Sequence, residues 1–366
     1  MILLAIMVGV PGCGCQAIYY FGTILQEQAL YSSAARPQNP RLTPRQIVLA
    51  NCTHSDPPRP GLNFDRGRRD DLAVFYPDQA DLFNQRRWKE GGREYYDDEW
   101  GNIWVRMTEG SERGEIHTPL LSDWSHLGSM QLPAVNDPSW IRAMRDFFSA
   151  AGDKFRLAAI GCWIFDTARY LRKLEVYLTD MALGEDRLGE LNDRVATVCE
   201  GRIRMAAEAG ADGIFILEDL GTQTGLLFSP AMFRRYFRDT YTRLYGLAHT
   251  LGMKVFLHSC GRNAEILDDL IECGVDCFQF DQPTLYDMPA LAEKLARRRV
   301  MLWSPVDIQK VLPTGDRAFI CDEARRLVRL FRGGLTLKCY TDLPGIGVKP
   351  EWDQWAYDAI LAEIGP

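Results

Sequence analysis

Residues 253–282, MKVFLHSCGRNAEILDDLIECGVDCFQFDQ, contain two apolar runs separated by a helical pattern. The runs over 254–260 and 276–282 are short and continuous, as in strands that are buried on both faces. The helical pattern between them ends at Gly274, and glycine commonly terminates a helix. Because two consecutive parallel strands need a crossover such as a helix, this stretch predicts one β-α-β unit.

The same alternation recurs along most of the chain. Similar apolar runs, with amphipathic helical patterns between them, occur at 156–163, 212–219, 300–305 and 335–342. Repeated strand–helix units build a parallel sheet, so the sequence predicts the α/β class and, as its architecture, a single (β/α)8 TIM barrel. A doubly wound open sheet is the alternative, although no glycine-rich dinucleotide turn follows the first strand.

The N-terminal part of the barrel domain has a less regular pattern. We expect the domain to span 42–366 and to begin with a helix whose N-cap is Thr43. The first strand is predicted within 54–64, and an irregular aromatic segment follows over 65–135. Its sequence DEWGNIW (98–104) indicates a β-hairpin, and we expect this excursion to cover the mouth of the barrel.

Residues 1–41 are predicted to be an extension and linker outside the core. The first ten residues are apolar, which leaves three interpretations: a leader, a lipoprotein signal acylated at Cys13, or a translation start upstream of the true one. The lack of a basic segment before the apolar run argues against a leader. The run is also too short and too interrupted to span a membrane.

Composition narrows the class of protein. The 366 residues carry a net charge of −7 and no long basic run, so nucleic acid is not an expected partner, and neither is a membrane. With 46% hydrophobic residues, the chain has ample material for a core. Its ten cysteines are too dilute for a disulfide scaffold and indicate reduced thiols in a cytoplasmic protein, some of them candidate metal ligands.

One pair of candidate ligands stands at the end of a predicted strand, where barrel enzymes place their chemistry. His258 and Cys260 are two residues apart and therefore point to the same side. Imidazole and thiolate suit zinc, and a catalytic zinc needs three protein ligands with one position open. Cys339 ends a later strand and is the best third ligand on these grounds. Cys162 also lies near a strand end, whereas Cys273 and Cys277 belong to the opposite face.

Other polar side chains lie at strand ends as well. Glu218 and Asp219 end the run 212–219 and are candidate catalytic carboxylates. Asp281 and Gln282 follow the next strand but one, where they either bind substrate or cap the following helix. The aromatic residues of the hairpin either line a ligand surface or pack within the hairpin itself; these are Tyr95, Tyr96, Trp100 and Trp104.

Several motifs, in this order, resemble the uroporphyrinogen decarboxylase superfamily, and in particular its zinc-dependent, corrinoid-linked methyltransferase branch. They are HSCG (258–261), GVDCFQFDQ (274–282), PVDIQKVLP (305–313) and GGLTLKC (333–339). The resemblance extends over residues 42–366 and implies a TIM barrel.

The resemblance also implies a site and a reaction. His258, Cys260 and Cys339 match the zinc ligands of that branch, and Glu218 or Asp219 would be a fourth ligand that an incoming thiol displaces. The branch uses zinc to activate a small-molecule thiol, or a similar nucleophile, which accepts a methyl group from a methylated corrinoid. The methylcorrinoid would be a co-substrate carried by a corrinoid-binding partner protein, and a homodimer is compatible with the family.

Two other functions remain open from the sequence. A tetrapyrrole decarboxylase of the same superfamily needs arginines directed at the carboxylates of its substrate. The equivalent region here reads ANCTHSDPPRP (50–60) and lacks that arginine motif, for which DRGRRDD (65–71) is a poor substitute. The second alternative is a barrel that binds a corrinoid or a partner protein without catalysis.

Overall fold

A computed structural model describes residues 42–65, 67–77, 83–107 and 114–365. Leu42–Pro366 form one compact unit. The predicted extension over residues 1–41 lies outside the described residues. No helix in the described part of the chain is long and apolar enough to cross a membrane.

The strands form a barrel and a separate antiparallel sheet. In chain order they are β1 Gly61–Asn63, β2 Leu72–Phe75, β3 Phe83–Glu90, β4 Arg93–Asp98, β5 Ile103–Met107, β6 Glu115–Thr118, β7 Phe155–Ala159, β8 Gly213–Leu217, β9 Lys254–His258, β10 Cys277–Gln279, β11 Met301–Ser304 and β12 Leu335–Lys338. The eight-stranded sheet has the order β1-β12-β11-β10-β9-β8-β7-β2, and each of these neighbouring pairs is parallel.

The sheet curls until β1 and β2 meet. A short antiparallel bridge between Asn63 and Asp70 lies at the seam, and the Asp71 backbone N–H donates to the Leu62 carbonyl at 2.6 Å. The result is a nearly closed α/β barrel, which confirms the predicted TIM barrel over the open sheet.

Helices surround the barrel. They are α1 Pro44–Cys52, α2 Pro138–Ala150, α3 Ile164–Arg172, α4 Leu174–Leu183, α5 Leu188–Glu208, α6 Pro230–Tyr236, α7 Arg238–Thr250, α8 Leu267–Cys273, α9 Met288–Arg298, α10 Arg317–Leu330 and α11 Pro350–Ile364. Helix α1 begins as the sequence indicates, because Thr43 and Gln46 form a reciprocal capping box with Pro44 at the first position. Its buried side chains Val48 and Cys52 pack into the barrel interior, so α1 covers the end of the barrel at which the strands begin.

The alternation of side chains along each strand divides the core in two. Phe155, Leu157, Phe215, Phe256 and Trp303 point inward and fill the barrel. The residues between them point outward and pack against the helices in a larger outer cluster. Lys338 and Gln279 stand on the inward face at the last residues of their strands, so their polar groups lie at the end of the barrel where the strands end, which is the barrel mouth.

The antiparallel sheet, in the order β3-β4-β5-β6, belongs to the irregular segment before β7. Strands β4 and β5 form the predicted hairpin, and the buried carboxylate of Asp98 holds its turn. Asp98 accepts hydrogen bonds from Asn102 N–H at 2.9 Å and from Trp104 Nε1 at 2.8 Å. The Trp104 ring meets the Tyr170 ring of α3 edge-on at 4.8 Å, which fixes the hairpin beside the barrel mouth.

Candidate metal centre at the barrel mouth

Glu218 and Asp219, which directly follow β8, point in opposite directions. Glu218 is fully buried on the helix side of the strand. Its Oε1 accepts from the Phe165 N–H at 2.6 Å and the Asp166 N–H at 3.2 Å, and the Tyr241 hydroxyl donates to its Oε2. Burial raises the pKa of Glu218 well above its usual value, although these donors oppose the shift. Glu218 therefore anchors the first turn of α3 to β8, away from the mouth.

Asp219 turns toward the mouth, where its side chain is 41% exposed. Its Oδ1 accepts from the Cys260 backbone N–H at 3.0 Å and lies 3.6 Å from His258 Nε2. Burial alone would raise the pKa of Asp219. The hydrogen bond and positive charge of His258, with a smaller contribution from Cys260, outweigh burial and hold that pKa well below its usual range. Asp219 is thus an ionised carboxylate at neutral pH.

His258 and Cys260 face Asp219 from the end of β9. The Cys260 Sγ lies 3.3 Å from His258 Nε2, and the candidate ligand atoms of Asp219, His258 and Cys260 all lie within 4.8 Å of one another. Two ligands of one tetrahedral zinc, with bonds of about 2.0–2.3 Å, lie about 3.3–3.7 Å apart. The two shortest separations fit that spacing, and a nitrogen, a sulfur and an oxygen are ligands that zinc accepts.

Gln279 on β10 determines which nitrogen of His258 is available. The Gln279 Nε2 donates to Asp281 Oδ1 at 2.7 Å, so its Oε1 is the atom that faces His258 Nδ1, at 2.5 Å. Because Oε1 can only accept, Nδ1 carries a proton, and the lone pair of the neutral ring lies on Nε2. A hydrogen bond of this kind to the second ring nitrogen is what orients histidine ligands in metal sites.

The charge on His258 depends on its neighbours. Burial lowers its pKa, but hydrogen bonds to Asp219 and Cys260 outweigh burial and raise the pKa well above the usual value. The raised pKa favours a proton on Nε2, which faces the carboxylate of Asp219 and the sulfur of Cys260. A metal ion would replace this proton, as is general for histidine ligands.

Cys339 does not join this group. It belongs with Leu337 to the outer cluster, and its Sγ lies 3.9 Å from the Asn63 carbonyl oxygen. Burial raises the pKa of its thiol. The preceding residue, Lys338, is the one that points into the barrel, because neighbouring residues on a strand face opposite sides. A zinc-binding role for Cys339 stays a prediction.

Asp281 and Gln282 have different surroundings. Asp281 accepts from Gln279 and lies 3.4 Å from Lys338 Nζ, which in turn sits 5.4 Å from the centre of the Trp303 ring. Gln282 Oε1 accepts from the Gly261 N–H at 3.2 Å and so holds the turn after Cys260. A substrate-binding role for either residue stays a prediction, and Asp281 is part of the polar chain that crosses the mouth.

Gly261 makes the turn after Cys260 possible. Its φ is +80°, and a Cβ there would lie 2.4 Å from the Gly221 carbonyl carbon. Only glycine allows this backbone conformation and this close approach together.

A cavity of about 270 Å³ adjoins the candidate metal centre. Its walls include Asp166 and Leu217 from the barrel and Trp100 and Trp104 from the hairpin, so the hairpin tryptophans both pack locally and line a cavity. Asp166 Oδ2 accepts from the Asp219 N–H at 3.3 Å, while its Oδ1 pairs with Arg169 at 2.6 Å. Burial raises the pKa of Asp166 to about 6, even though Arg169 opposes the shift.

In the arginine-rich segment 65–71, Arg68 stabilises the fold. Arg68 pairs with Asp65 at 2.8 Å and with Asp353 at 2.7 Å, and its guanidinium lies over the rings of Phe64 and Tyr357. Arg66 lies outside the described residues. The contacts of Arg68 tie the segment to α11, so they do not supply the substrate-binding arginine that a tetrapyrrole decarboxylase needs.

The sequence did not indicate Gln279, Lys338 or Asp166 as parts of the mouth. Gln279 and Lys338 could have been found from strand alternation, since they share a face with Asp281 and Thr336. Asp166 carries no such signal, because it lies in the first turn of a helix and reaches the site only through the packing of α3 on β8.

A family model described as uroporphyrinogen decarboxylase (URO-D) matches residues 102–354, more than two thirds of the chain. The chain belongs to the uroporphyrinogen decarboxylase family. This confirms the family resemblance, and the matched range contains the triad as well as Gln279 and Lys338. No curated protein matches the chain.

Two solved structures resemble this family member to different degrees. A methyltransferase from Methanosarcina mazei has a TM-score of 0.55 and 17% sequence identity, with 87% of this chain and 85% of that chain covered. An endo-β-1,4-xylanase from Gloeophyllum trabeum has a TM-score of 0.40 at 13% identity, covering 62% of this chain and 80% of its own. At these identities the likeness extends to the fold alone, and the xylanase match is too weak for any further comparison.

Proposed function

We propose that this protein is a zinc-dependent methyltransferase, in which a thiol or similar nucleophile accepts a methyl group from a methylated corrinoid protein. The triad Asp219–His258–Cys260, oriented by Gln279 at the barrel mouth, is the observation that carries the proposal. Family membership and the methyltransferase fold neighbour support an enzyme on this barrel.

The triad and its supports have separate roles in this proposal. His258 Nε2 and Cys260 Sγ hold the metal, and Asp219 Oδ1 is the third donor, kept in place by the Cys260 N–H. Zinc, when bound, lowers the pKa of an incoming thiol and so favours the nucleophilic thiolate. The sulfur forms its bond to the methyl carbon as the carbon–cobalt bond breaks, and cobalt keeps the electron pair.

Asp166 is the group best placed to take up the proton of the thiol. It lines the cavity beside Asp219, and a pKa of about 6 leaves it mostly ionised at pH 7 yet close enough to neutrality to accept a proton. On the other side of the mouth, Asp281 and Lys338 offer one negative and one positive group to the rest of the acceptor. The described cysteines are all free thiols, and we propose a cytoplasmic location.

Metal retention and methyl transfer by matched variants test the proposal. We expect about one zinc per chain in the wild-type protein, and loss of most of it in Cys260→Ser and Asp219→Asn. Cys321→Ser, at a half-buried thiol on α10, is the control and should retain zinc. Cys339→Ser decides whether that residue is also a ligand.

Methyl transfer is assayed with methylcobalamin and a small thiol, and the change in absorbance measures the loss of the carbon–cobalt bond. Transfer should fall at least tenfold in Cys260→Ser and remain in Cys321→Ser. A protein that binds no zinc, or whose methyl transfer is unaffected by Cys260→Ser, would contradict the proposal.

A further inference from the structure

Two cysteines near the mouth have no role in the proposed methyl transfer. The Sγ atoms of Cys162 and Cys199 lie 3.6 Å apart. Cys162 is in the short turn between β7 and α3, and Cys199 is in the middle of α5. The two residues thus bring together a turn at the active-site end of the barrel and a helix of the outer layer.

The two thiols have different access. Cys162 is half-buried and lines the cavity of about 270 Å³ that also contains Asp166 and Leu217. Cys199 is fully buried behind it. A small molecule that enters the cavity therefore meets Cys162, whereas Cys199 is buried and does not line that cavity.

A buried cation stands next to this pair. Arg202, three residues after Cys199 on α5, is 3% exposed. Its Nη2 donates to Glu99 Oε2 at 2.5 Å and its Nη1 to the Ile160 carbonyl at 3.1 Å, whereas its Nε has no hydrogen-bond partner among the described residues. The hydrogen bond from Cys199 and the charge of Arg202 outweigh burial and lower the pKa of Cys162; burial raises the pKa of Cys199.

We propose that Cys162 and Cys199 form a redox-active dithiol that closes to a disulfide when a hydroperoxide enters the mouth cavity. The Cys162 thiolate attacks the nearer peroxide oxygen and the oxygen–oxygen bond breaks; with hydrogen peroxide the departing hydroxide takes up the proton that the Cys162 thiol had released and leaves as water, giving Cys162 sulfenic acid. The Cys199 thiol then attacks that sulfur, and its proton leaves with the hydroxyl group as a second water. Two thiols are oxidised by two electrons, and the peroxide is reduced to two waters.

Formation of the disulfide would affect the metal centre through α3. The two sulfurs must approach from 3.6 Å to about 2.05 Å, which pulls the turn containing Cys162 toward α5. That turn leads directly into the backbone N–H groups of Phe165 and Asp166, which hold Glu218 beside Asp219. Oxidation therefore shifts the support of the site without altering a proposed metal ligand.

Peptide mapping tests the dithiol without any assay of methyl transfer. The reduced full-length protein is treated with about one equivalent of hydrogen peroxide, alkylated, and digested with trypsin. We expect peptide 157–169 linked to peptide 195–202, with the link removed by dithiothreitol. Peptide 318–325, which contains the half-buried Cys321, serves as the internal control and should stay alkylated.

Variants separate the oxidation of Cys162 to sulfenic acid from the attack of Cys199 on it. In Cys199→Ala the resolving thiol is gone, so dimedone should trap sulfenic acid on Cys162 at a level several-fold above wild type. Cys162→Ser should give neither the link nor the dimedone adduct on this peptide. Arg202→Lys keeps the charge but changes its position, and we expect slower oxidation of Cys162.

Three outcomes would overturn the proposal. The first is that Cys162 and Cys199 stay reduced at a peroxide dose that oxidises Cys321. The second is that Cys162 is oxidised in the wild-type protein but links to a different cysteine. The third is that dimedone labels Cys199 in Cys162→Ser as strongly as it labels Cys162 in Cys199→Ala, because peroxide would then react without preference for Cys162.

Discussion

Gln279 is the residue that orients His258 in the candidate metal centre. Its amide accepts from His258 Nδ1 and donates to Asp281, so it sets the tautomer of the histidine and joins the triad to the far side of the mouth. Residues in this position in metal sites typically contribute one to two orders of magnitude in metal affinity.

Replacing Gln279 by leucine tests this role. The change removes the acceptor of Nδ1–H, so the ring is free to rotate or change tautomer, and zinc affinity should fall about 10- to 100-fold. Competition with a chromophoric chelator measures the affinity. Gln354→Leu, at an exposed position on α11, is the matched control and should bind zinc as the wild type does. Unchanged affinity in Gln279→Leu would show that the histidine is oriented by other contacts.

Replacing Glu218 should mainly lower the stability of the fold, whereas replacing its neighbour Asp219 should mainly weaken zinc binding. Glu218→Ala leaves the buried donors of Phe165, Asp166 and Tyr241 without their acceptor, which should lower the free energy of unfolding by about 3–5 kcal/mol. Asp219→Ala, at a half-exposed side chain, should cost about 1 kcal/mol or less but remove most of the bound zinc. Urea unfolding and metal analysis of both variants measure the contrast. Equal loss of stability in the two would contradict the assigned directions of the side chains.

At the scale of elements, the strands were predictable because parallel strands buried on both faces give continuous apolar runs. All six runs found in the sequence contain barrel strands, and the hairpin of β4 and β5 has a turn sequence that can be recognised. The amphipathic helical pattern over 229–252 is continuous in the sequence, but the helix is not. It is interrupted at Phe237, where φ is −127°, with the ring buried against Phe165 and Phe228. No glycine or proline marks that break, so only tertiary packing shows it.

The direction in which side chains point at the strand ends was harder to predict from the sequence. His258 and Cys260 could be paired from their spacing, because they lie on one strand. The sequence could not tell Asp219 from Glu218, or show that Lys338 and not Cys339 points inward, because that requires knowing where β8 and β12 stop. Contacts between separate elements, such as Asp166 with Asp219, leave no local pattern at all.

Asp276, at the opposite end of the barrel from the mouth, makes the free energy of unfolding depend on pH. Asp276 precedes β10 and accepts from His249 at 2.7 Å and Lys254 at 2.8 Å, joining the end of α7 to the start of β9. Burial raises the pKa of Asp276, but these hydrogen bonds outweigh it and the pKa is lowered. A carboxyl with a depressed folded-state pKa stabilises the fold above its unfolded pKa of about 3.9, and this contribution is lost as pH falls through the folded value.

Asp276→Asn should therefore lower the free energy of unfolding by about 1–3 kcal/mol at pH 7. The difference from wild type should shrink as the pH is lowered below about 4. Urea unfolding at a series of pH values measures it, with Asp193→Asn on the exposed face of α5 as the control. A difference that grows at low pH would have the wrong sign for this account.

At the scale of the whole molecule, the mouth lies between the barrel and the antiparallel sheet. The cavity beside the triad and a second one of about 410 Å³, lined by Lys338, Cys339 and Trp303, share Tyr76 in their walls. The candidate donors come from the ends of β8 and β9, so a bound metal would tie two neighbouring strands together.

Zinc should therefore stabilise the folded chain by mass action. A ligand that binds only the folded state at about 1,000 times its dissociation constant adds about 4 kcal/mol. Chelation should lower the melting temperature of the wild-type protein by several degrees and leave that of Cys260→Ser unchanged. Scanning calorimetry with and without a chelator makes the comparison. An equal shift in both proteins would place the metal elsewhere.

The central claim is that one nitrogen, one sulfur and one carboxylate oxygen of this chain bind zinc at the barrel mouth. Zinc K-edge X-ray absorption of the purified protein tests it most directly, because sulfur and nitrogen or oxygen neighbours are distinguished by distance. We predict one sulfur at about 2.3 Å, with nitrogen and oxygen at about 2.0–2.2 Å filling the remaining positions. A shell with two sulfurs would contradict a triad with one thiolate, and a protein without zinc would contradict the metal centre itself.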